Sequence, residues 1–173
     1  GKFKRGWYRI KQERTATVAA QVLAPSTEKA FTGKAGELAV MSELLFWGYN
    51  VSAMIVDSGI DVVANKDNKY FHIQVKTSAE QEGGKFYFSI KHSSFQQNHS
   101  SMMYYVFVLR RNITNEYIIM PSSYLHVLIG SGKINSSSTL SVSISVDEKR
   151  KKYMLNNSVN VDLYYGNFGT III

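Results

Sequence analysis

Apolar residues recur along this chain in two rhythms. Between residues 28 and 48 the spacing is helical: at about 100° per residue, Leu38, Met41, Leu44, Leu45 and Gly48 fall in one stripe. The segment predicts a helix. Ser26-Thr27-Glu28 can open it, because a hydroxyl at the cap satisfies orphan N–H groups, and Gly48 can close it. The pattern then shortens to strand-like runs at Tyr49–Val56, Ile60–Asn65, Tyr70–Thr77 and Phe86–Ile90, with Asp67-Asn68 as a hairpin turn between the second and third. Ser93–Ser101 is polar and reads as helix or loop. Met103–Leu109 is a continuous apolar and aromatic run, as expected of a strand buried on both faces. Arg111–Asn115 predicts a turn into a strand over Glu116–Met120, and Pro121–Leu128 a short helix begun by its proline. Ser131–Ser138 is a polar loop. Leu140, Val142, Ile144 and Val146 alternate with serines, the mark of a half-buried strand, and Tyr153–Ile173 is irregular with β character.

This order of elements predicts an α/β fold in one domain, an ordinary organisation for 173 residues. It divides into a basic arm over 1–26, a core over 27–130 and a β-rich C-terminal extension of the same domain over 131–173. Hydrophobic content of 45% and charged content of 19% are those of a packed globular chain rather than a disordered one. There is no cysteine, which excludes disulfides, thiolate zinc sites and cysteine nucleophiles and fits a reducing cytoplasm. No apolar run is long enough to span a membrane. The basic start lacks the apolar run and cleavage site of a secretory signal. The chain opens on Gly1 rather than Met, as a trimmed product would. In a cytoplasmic protein the sequons Asn98-His99-Ser100 and Asn112-Ile113-Thr114 are chance matches.

The net charge of +7 is uneven. Residues 1–15 carry Lys2, Lys4, Arg5, Arg9, Lys11 and Arg14 against Glu13, a net of +5, so the remaining 158 residues hold only +2. Such an arm suits contact with phosphates, although a solvated terminus has the same composition. Lys149–Lys152 reads as a turn or strand edge.

Polar residues interrupt the apolar pattern at a few places. Glu37 lies within the helical stripe, whereas Glu43 projects away from it. An acid facing a core is costly unless paired or bound to a metal. In Tyr70–Lys76 the faces alternate: Phe71, Ile73 and Val75 point into a core, and His72, Gln74 and Lys76 share the other side. Asp61 stands between Ile60 and Val62, and a hairpin would bring it near Gln74 and Lys76. Simpler readings remain open: a buried glutamate satisfied by a lysine or by backbone groups, and an Asp–Lys pair on a surface ladder.

Taken in order, Gly36-Glu37, Gly59-Ile60-Asp61 and Gln74-Val75-Lys76-Thr77, spread over helix, strand and strand, resemble the PD-(D/E)XK nuclease superfamily. More narrowly they resemble its Q-x-K branches, as in Mrr-type restriction endonucleases and some homing or resolvase-like enzymes. The motif resemblance covers residues 33–78 and extends by element order to about 128. It implies a restriction-endonuclease-like central mixed sheet flanked by helices, and metal-dependent hydrolysis of DNA phosphodiesters. It assigns Asp61 as principal carboxylate ligand of Mg²⁺, with Mn²⁺ able to substitute. The side-chain carbonyl of Gln74 and the backbone carbonyl of Val75 would be further ligands. Glu37 would bind metal directly, through water, or position Lys76. Lys76 would orient the attacking water and offset charge in the transition state. Lys34, His72, Thr77 and Ser78, together with Lys2, Lys4 and Arg5 of the arm, are the expected nucleic-acid contacts. A homodimer would suit cleavage of two strands. Gln74 departs from the commoner carboxylate, which removes a negative charge from the metal site. That leaves two alternatives open: a module that binds nucleic acid without cutting, and a protein-interaction domain.

Other motifs do not survive inspection. Gly130-Ser131-Gly132-Lys133 lacks the earlier glycine of a phosphate loop, where Val127 stands, and its hydroxyl residue, where Ile134 stands. His72, His92, His99 and His126 show no paired ligand spacing, and no serine sits in a nucleophile-elbow context. Gln96, Gln97 and Asn98 could read base edges but are read as solvated. Tyr104, Tyr105 and Phe107 read as core.

Overall fold

The expected helix forms as α1, Lys29–Phe46, and its chain reverses around Gly48, whose N–H donates to Leu45 O at 2.9 Å while Tyr49 N–H donates to Leu44 O at 3.0 Å. This is the pattern of a Schellman close. The computed structural model describes residues 28–56, 58–147, 149 and 151–171. The basic arm over 1–26, with Lys2, Lys4 and Arg5, lies outside the described residues.

After α1 come β1 (Asn50–Ala53), β2 (Val62–Lys66), β3 (Lys69–Ala79), β4 (Lys85–Lys91), α2 (His92–Gln97), β5 (Met103–Arg111), β6 (Thr114–Pro121) and α3 (Ser122–Gly130). The C-terminal part adds β7 (Asn135–Ser136), β8 (Thr139–Asp147), β9 (Lys152–Leu155) and β10 (Val159–Asn160), then two short 3₁₀ turns. The central sheet has the order β1-β2-β3-β5-β6 and is mixed, because β3 and β5 run parallel while the other neighbours are antiparallel. The β2–β3 hairpin turns at Asp67-Asn68, both at positive φ (50° and 59°), as expected of a two-residue turn of this composition.

One face of the central sheet lies under α1. Val40 and Leu44 of the helix share a core with Phe71, Ile73 and Val75 of β3 and with Tyr104, Val106 and Val108 of β5. On the other face Met103, Tyr105, Phe107 and Leu109 of β5 meet a second sheet of order β10-β9-β8-β4, with β7 beside β8, together with Phe95 of α2 and Leu125 and Leu128 of α3. Burial on both sides is the physical reason that Met103–Leu109 reads as unbroken apolar sequence. In β4 and β8 only one face is covered, by Phe86, Phe88 and Ile90 and by Leu140, Val142 and Ile144, so both alternate. Tyr153, Leu155 and Val161 join the same core, and Phe168 closes on Tyr117 from the helix side, with ring centroids 5.5 Å apart.

Two expectations shift. Met54–Val56 leave the strand predicted over Tyr49–Val56, since the last pair of the β1–β2 ladder is Ala53↔Val62. The buried face of α1 is Gly36, Val40 and Leu44; Leu38 and Leu45 of the expected stripe are exposed, and with Phe31 they make a second apolar line at seven-residue spacing. The helix sits on its glycine: a Cβ at Gly36 would lie 1.8 Å from Thr77 Oγ1, so β3 touches the α1 backbone there, and this contact sets the helix's rotation.

Candidate active site

The site grows from an unequal pair of strands. The β2–β3 ladder runs from Lys66↔Lys69 up to Val62↔Ile73, yet β3 continues to Ala79. Beyond Ile73, β3 therefore presents backbone groups to a notch where β2 would have continued. Asp61 stands at that point. Its N–H donates to Ile73 O at 2.9 Å, and its carboxylate Oδ2 accepts the N–H of Val75 at 2.7 Å, taking the place of a missing ladder partner. N–H and C=O of one strand residue leave on the same edge, so the Val75 carbonyl also faces the notch.

Asp61, just ahead of β2, reaches the edge of β3 on either side of Gln74, at Ile73 O and at Val75 N–H, and Gln74 is paired with Tyr105 of β5. Gln74 and Tyr105 form a row across β3 and β5. The side of β3 that carries His72, Gln74 and Lys76 is not a bare surface: Gln74 is only 4% exposed, beneath the second sheet. Within that row, Gln74 Oε1 and Tyr105 Oη are buried with no hydrogen-bond partner among the described residues. Burial, with the Asp61 charge adding to it, pushes the Tyr105 hydroxyl well above the usual phenol range. An unpaired buried carbonyl costs roughly 1–3 kcal/mol, so Gln74 Oε1 is a ready ligand for a hard cation. Asp61, the Gln74 amide oxygen and the Val75 carbonyl make the oxygen donor set that Mg²⁺ accepts alongside water. Among the described residues no group of three or more His, Cys, Asp or Glu could hold a metal, so a cation here would rely on neutral oxygens as much as on acids.

From the helix side, Glu37 is largely buried and forms a salt bridge with Lys34 one turn earlier. Lys34 also feels Asp61: its ammonium is held above the ordinary lysine range by the hydrogen bond and charge of Glu37 first, with Asp61 adding to them. Lys76 is half-buried, two residues beyond Gln74 on the same side of β3, and forms no hydrogen bond or ion pair among the described residues.

The expected nucleic-acid contacts are placed differently from one another. Thr77 turns to the helix side against Gly36, with its hydroxyl buried. Ser78 Oγ accepts Tyr87 N–H at 3.1 Å and donates to Ala79 O, tying β3 to β4. His72 is half-buried, opposite Val63 and beside Met103. Sequence reasoning missed two residues. Tyr105 was hidden inside an apolar run. Asn98, read as solvated, donates from Nδ2 to Ser58 O at 2.8 Å and anchors the loop before Asp61. Gly59 is required there: its φ is +85°, and a Cβ would meet Asn98 Nδ2 at 2.6 Å.

No protein-family model matches the sequence, and a search of curated proteins returns no match. Solved structures do match. The chain is similar to a bacterial homing endonuclease, I-Ssp6803I, at 15% identity and a TM-score of 0.55, covering 83% of this chain and 92% of that one. It is also similar to Hjc, a Holliday junction resolvase from Archaeoglobus fulgidus, at 16% identity and a TM-score of 0.44, covering 69% and 86%. The first likeness shows the fold: α/β, restriction-endonuclease-like, with a central mixed β-sheet flanked by helices.

Proposed function

We propose that this protein is a divalent-metal-dependent DNA endonuclease with its active centre in the β2–β3 notch, and that its Gln74-Val75-Lys76 motif places it among the Q-x-K branches of the PD-(D/E)XK nucleases. One observation carries the reading. Asp61, on a restriction-endonuclease-like fold, is locked at 2.7 Å to the N–H of Val75, the residue next to Gln74, whose side-chain oxygen is buried and unpartnered. That oxygen and the Asp61 carboxylate are both acceptors and cannot satisfy each other, whereas a hard cation takes both as ligands.

Asp61, Gln74 Oε1 and the Val75 carbonyl would hold Mg²⁺ or Mn²⁺, with Glu37 completing the set directly or through water. When bound, the cation supplies Lewis acidity toward water and the scissile phosphate. The Val75 amide fixes the orientation of the Asp61 carboxylate before any ligand arrives, so little reorganisation remains at the moment of reaction. Lys76 presents its ammonium to the incoming water as a hydrogen-bond donor and offsets the charge that builds on the phosphate oxygens. Water adds to phosphorus, the P–O bond to the leaving sugar oxygen breaks, and that oxygen takes up a proton. Lys34 holds Glu37 in place and faces the approaching backbone as a cation. The arm residues Lys2, Lys4 and Arg5, with His72, Thr77 and Ser78 along β3, are the further contacts of this reading. Paired copies are the arrangement that cleavage of two strands calls for, and the exposed Phe31, Leu38 and Leu45 line on α1 is a face such pairing can use. The activity belongs in the cytoplasm; no helix among the described residues is long and apolar enough to cross a membrane.

The test is cleavage of plasmid, single-stranded and branched DNA with Mg²⁺ or Mn²⁺. Wild-type protein cuts at least one of them and stops when the metal is chelated. Asp61→Asn and Lys76→Ala each lower the rate by about 10²-fold or more, the scale of losing a preorganised charge at a reacting centre, while their melting temperatures stay close to wild type. A wild type that cuts none of these substrates with either metal, together with unchanged DNA affinity in Asp61→Asn, leaves the non-cutting binding module in its place.

A further inference from the structure

The loop that delivers Asp61 has an unusual tip. Met54 N–H donates to Asp61 O at 2.9 Å, and Asn98 Nδ2 donates to Ser58 O at 2.8 Å, so both ends of the loop are tied down. Gly59 is buried in close contact with Asn98 and Ser94. Between these anchors two large apolar side chains face solvent, Ile55 at 100% exposure and Val56 at 71%, and Met54 at the first anchor is 40% exposed. Neither strand pairing nor core packing requires them, since β1 has ended at Ala53.

We infer that Ile55 and Val56 form an apolar wedge that enters a base step of the DNA beside the cutting site and partly unstacks it. The inference rests on the nuclease reading above and adds to it how the duplex is gripped and deformed. Size argues for this occupant. A protein–protein interface takes some 20–30 residues a side, whereas one or two aliphatic side chains are what minor-groove proteins drive between stacked bases. Position argues for it too. Ile55 and Val56 follow Met54, which is bonded to Asp61, by one and two residues, and a chain advances at most about 3.5 Å per residue. With bases about 3.4 Å apart along a strand, the wedged step lies within a few base pairs of the phosphate served by Asp61. Anchoring is the third argument, because a wedge must be braced, and the chain is held on Asp61 at Met54 and on Asn98 at Ser58, on either side of the exposed pair.

The test compares the full-length wild type with the Ile55→Ser/Val56→Ser double variant. Both side chains are in solvent, so the variant keeps its fold, which its melting temperature confirms. Plasmid is relaxed by a metal-independent topoisomerase in chelator, where no cutting occurs, and DNA occupancy is followed by filter retention. Insertion of a wedge unwinds the helix, so wild type shifts the linking number and the double variant shifts it at least about fivefold less at equal occupancy. An equal shift by the two proteins, or no shift by a wild type that binds, overturns the wedge and leaves the nuclease reading standing. Loss of self-association in the variant, with DNA unwinding unchanged, overturns it in favour of a contact between copies. A wild type retained by no DNA in either chelator or Mg²⁺ sinks the DNA reading itself, and the wedge with it.

Discussion

Gln74 carries the sharpest physical tension in the molecule. An amide oxygen buried without a partner lowers stability, and proteins keep such groups where function needs them. Replacing it by leucine removes that cost and also the proposed metal ligand. Gln74→Leu is expected to melt at or above the wild-type temperature without metal and to lose the rise that Mg²⁺ gives wild type. Gln74→Glu should do the reverse: a second carboxylate beside Asp61 lowers metal-free stability by like-charge repulsion and burial, and the Mg²⁺-induced rise grows with affinity. Scanning fluorimetry across a Mg²⁺ titration reads both, and a Mg²⁺ response of equal size in Gln74→Leu and wild type would remove Gln74 from the ligand set. At this scale the sequence was partly legible. Asp61, Gln74 and Lys76 stand out as polar breaks in apolar strands. Tyr105 could not be found that way, because its one polar atom ends a side chain that otherwise packs like its neighbours, and Asn98 looked like any other polar residue near a helix end.

Among the elements, α1 shows how far a periodic pattern reaches. The position of the helix and its close at Gly48 follow from local chemistry. Its rotation does not, because two apolar lines run along it and the sheet covers the one centred on Gly36, Val40 and Leu44. Gly36 makes that choice by letting β3 approach the helix backbone. In an open helix Gly→Ala gains about 1 kcal/mol. Here the added methyl would sit 1.8 Å from Thr77 Oγ1, and overpacking of this kind costs about 1–3 kcal/mol. Gly36→Ala is therefore expected to lower the denaturation midpoint, and Thr77→Ala in the same chain to recover most of the loss, since the remaining approach is 3.0 Å to the Thr77 Cβ. Equilibrium urea unfolding of the two variants decides it; a stabilised Gly36→Ala would mean that the helix rides higher than described.

For the whole molecule, charge and architecture answer different questions. The fold is built by two cores on either side of one mixed sheet, and the C-terminal strands complete the second of them. Most of the net charge of +7 is carried by residues 1–15, which hold +5 of it. If the arm lies along DNA phosphates, each cation that neutralises one adds about 0.9 to the slope of log affinity against log salt. Removing residues 1–15 is expected to weaken DNA binding and to flatten that slope by several units, as read by fluorescence anisotropy from low to moderate salt. An unchanged slope would make the arm a spectator.

Local signals were enough for the helix, the hairpin at Asp67-Asn68, the doubly buried strand and the polar interruptions on which the proposed site rests, because each depends on periodicity, turn chemistry or the cost of an acid among apolar neighbours. Those signals act over a few residues. The parallel pairing of β3 with β5, the second sheet laid across Gln74, the notch left where β2 stops short and the side on which α1 lies all depend on contacts between distant segments. Such contacts are settled by which surfaces bury each other when the layers close, and no short stretch of chain carries that information.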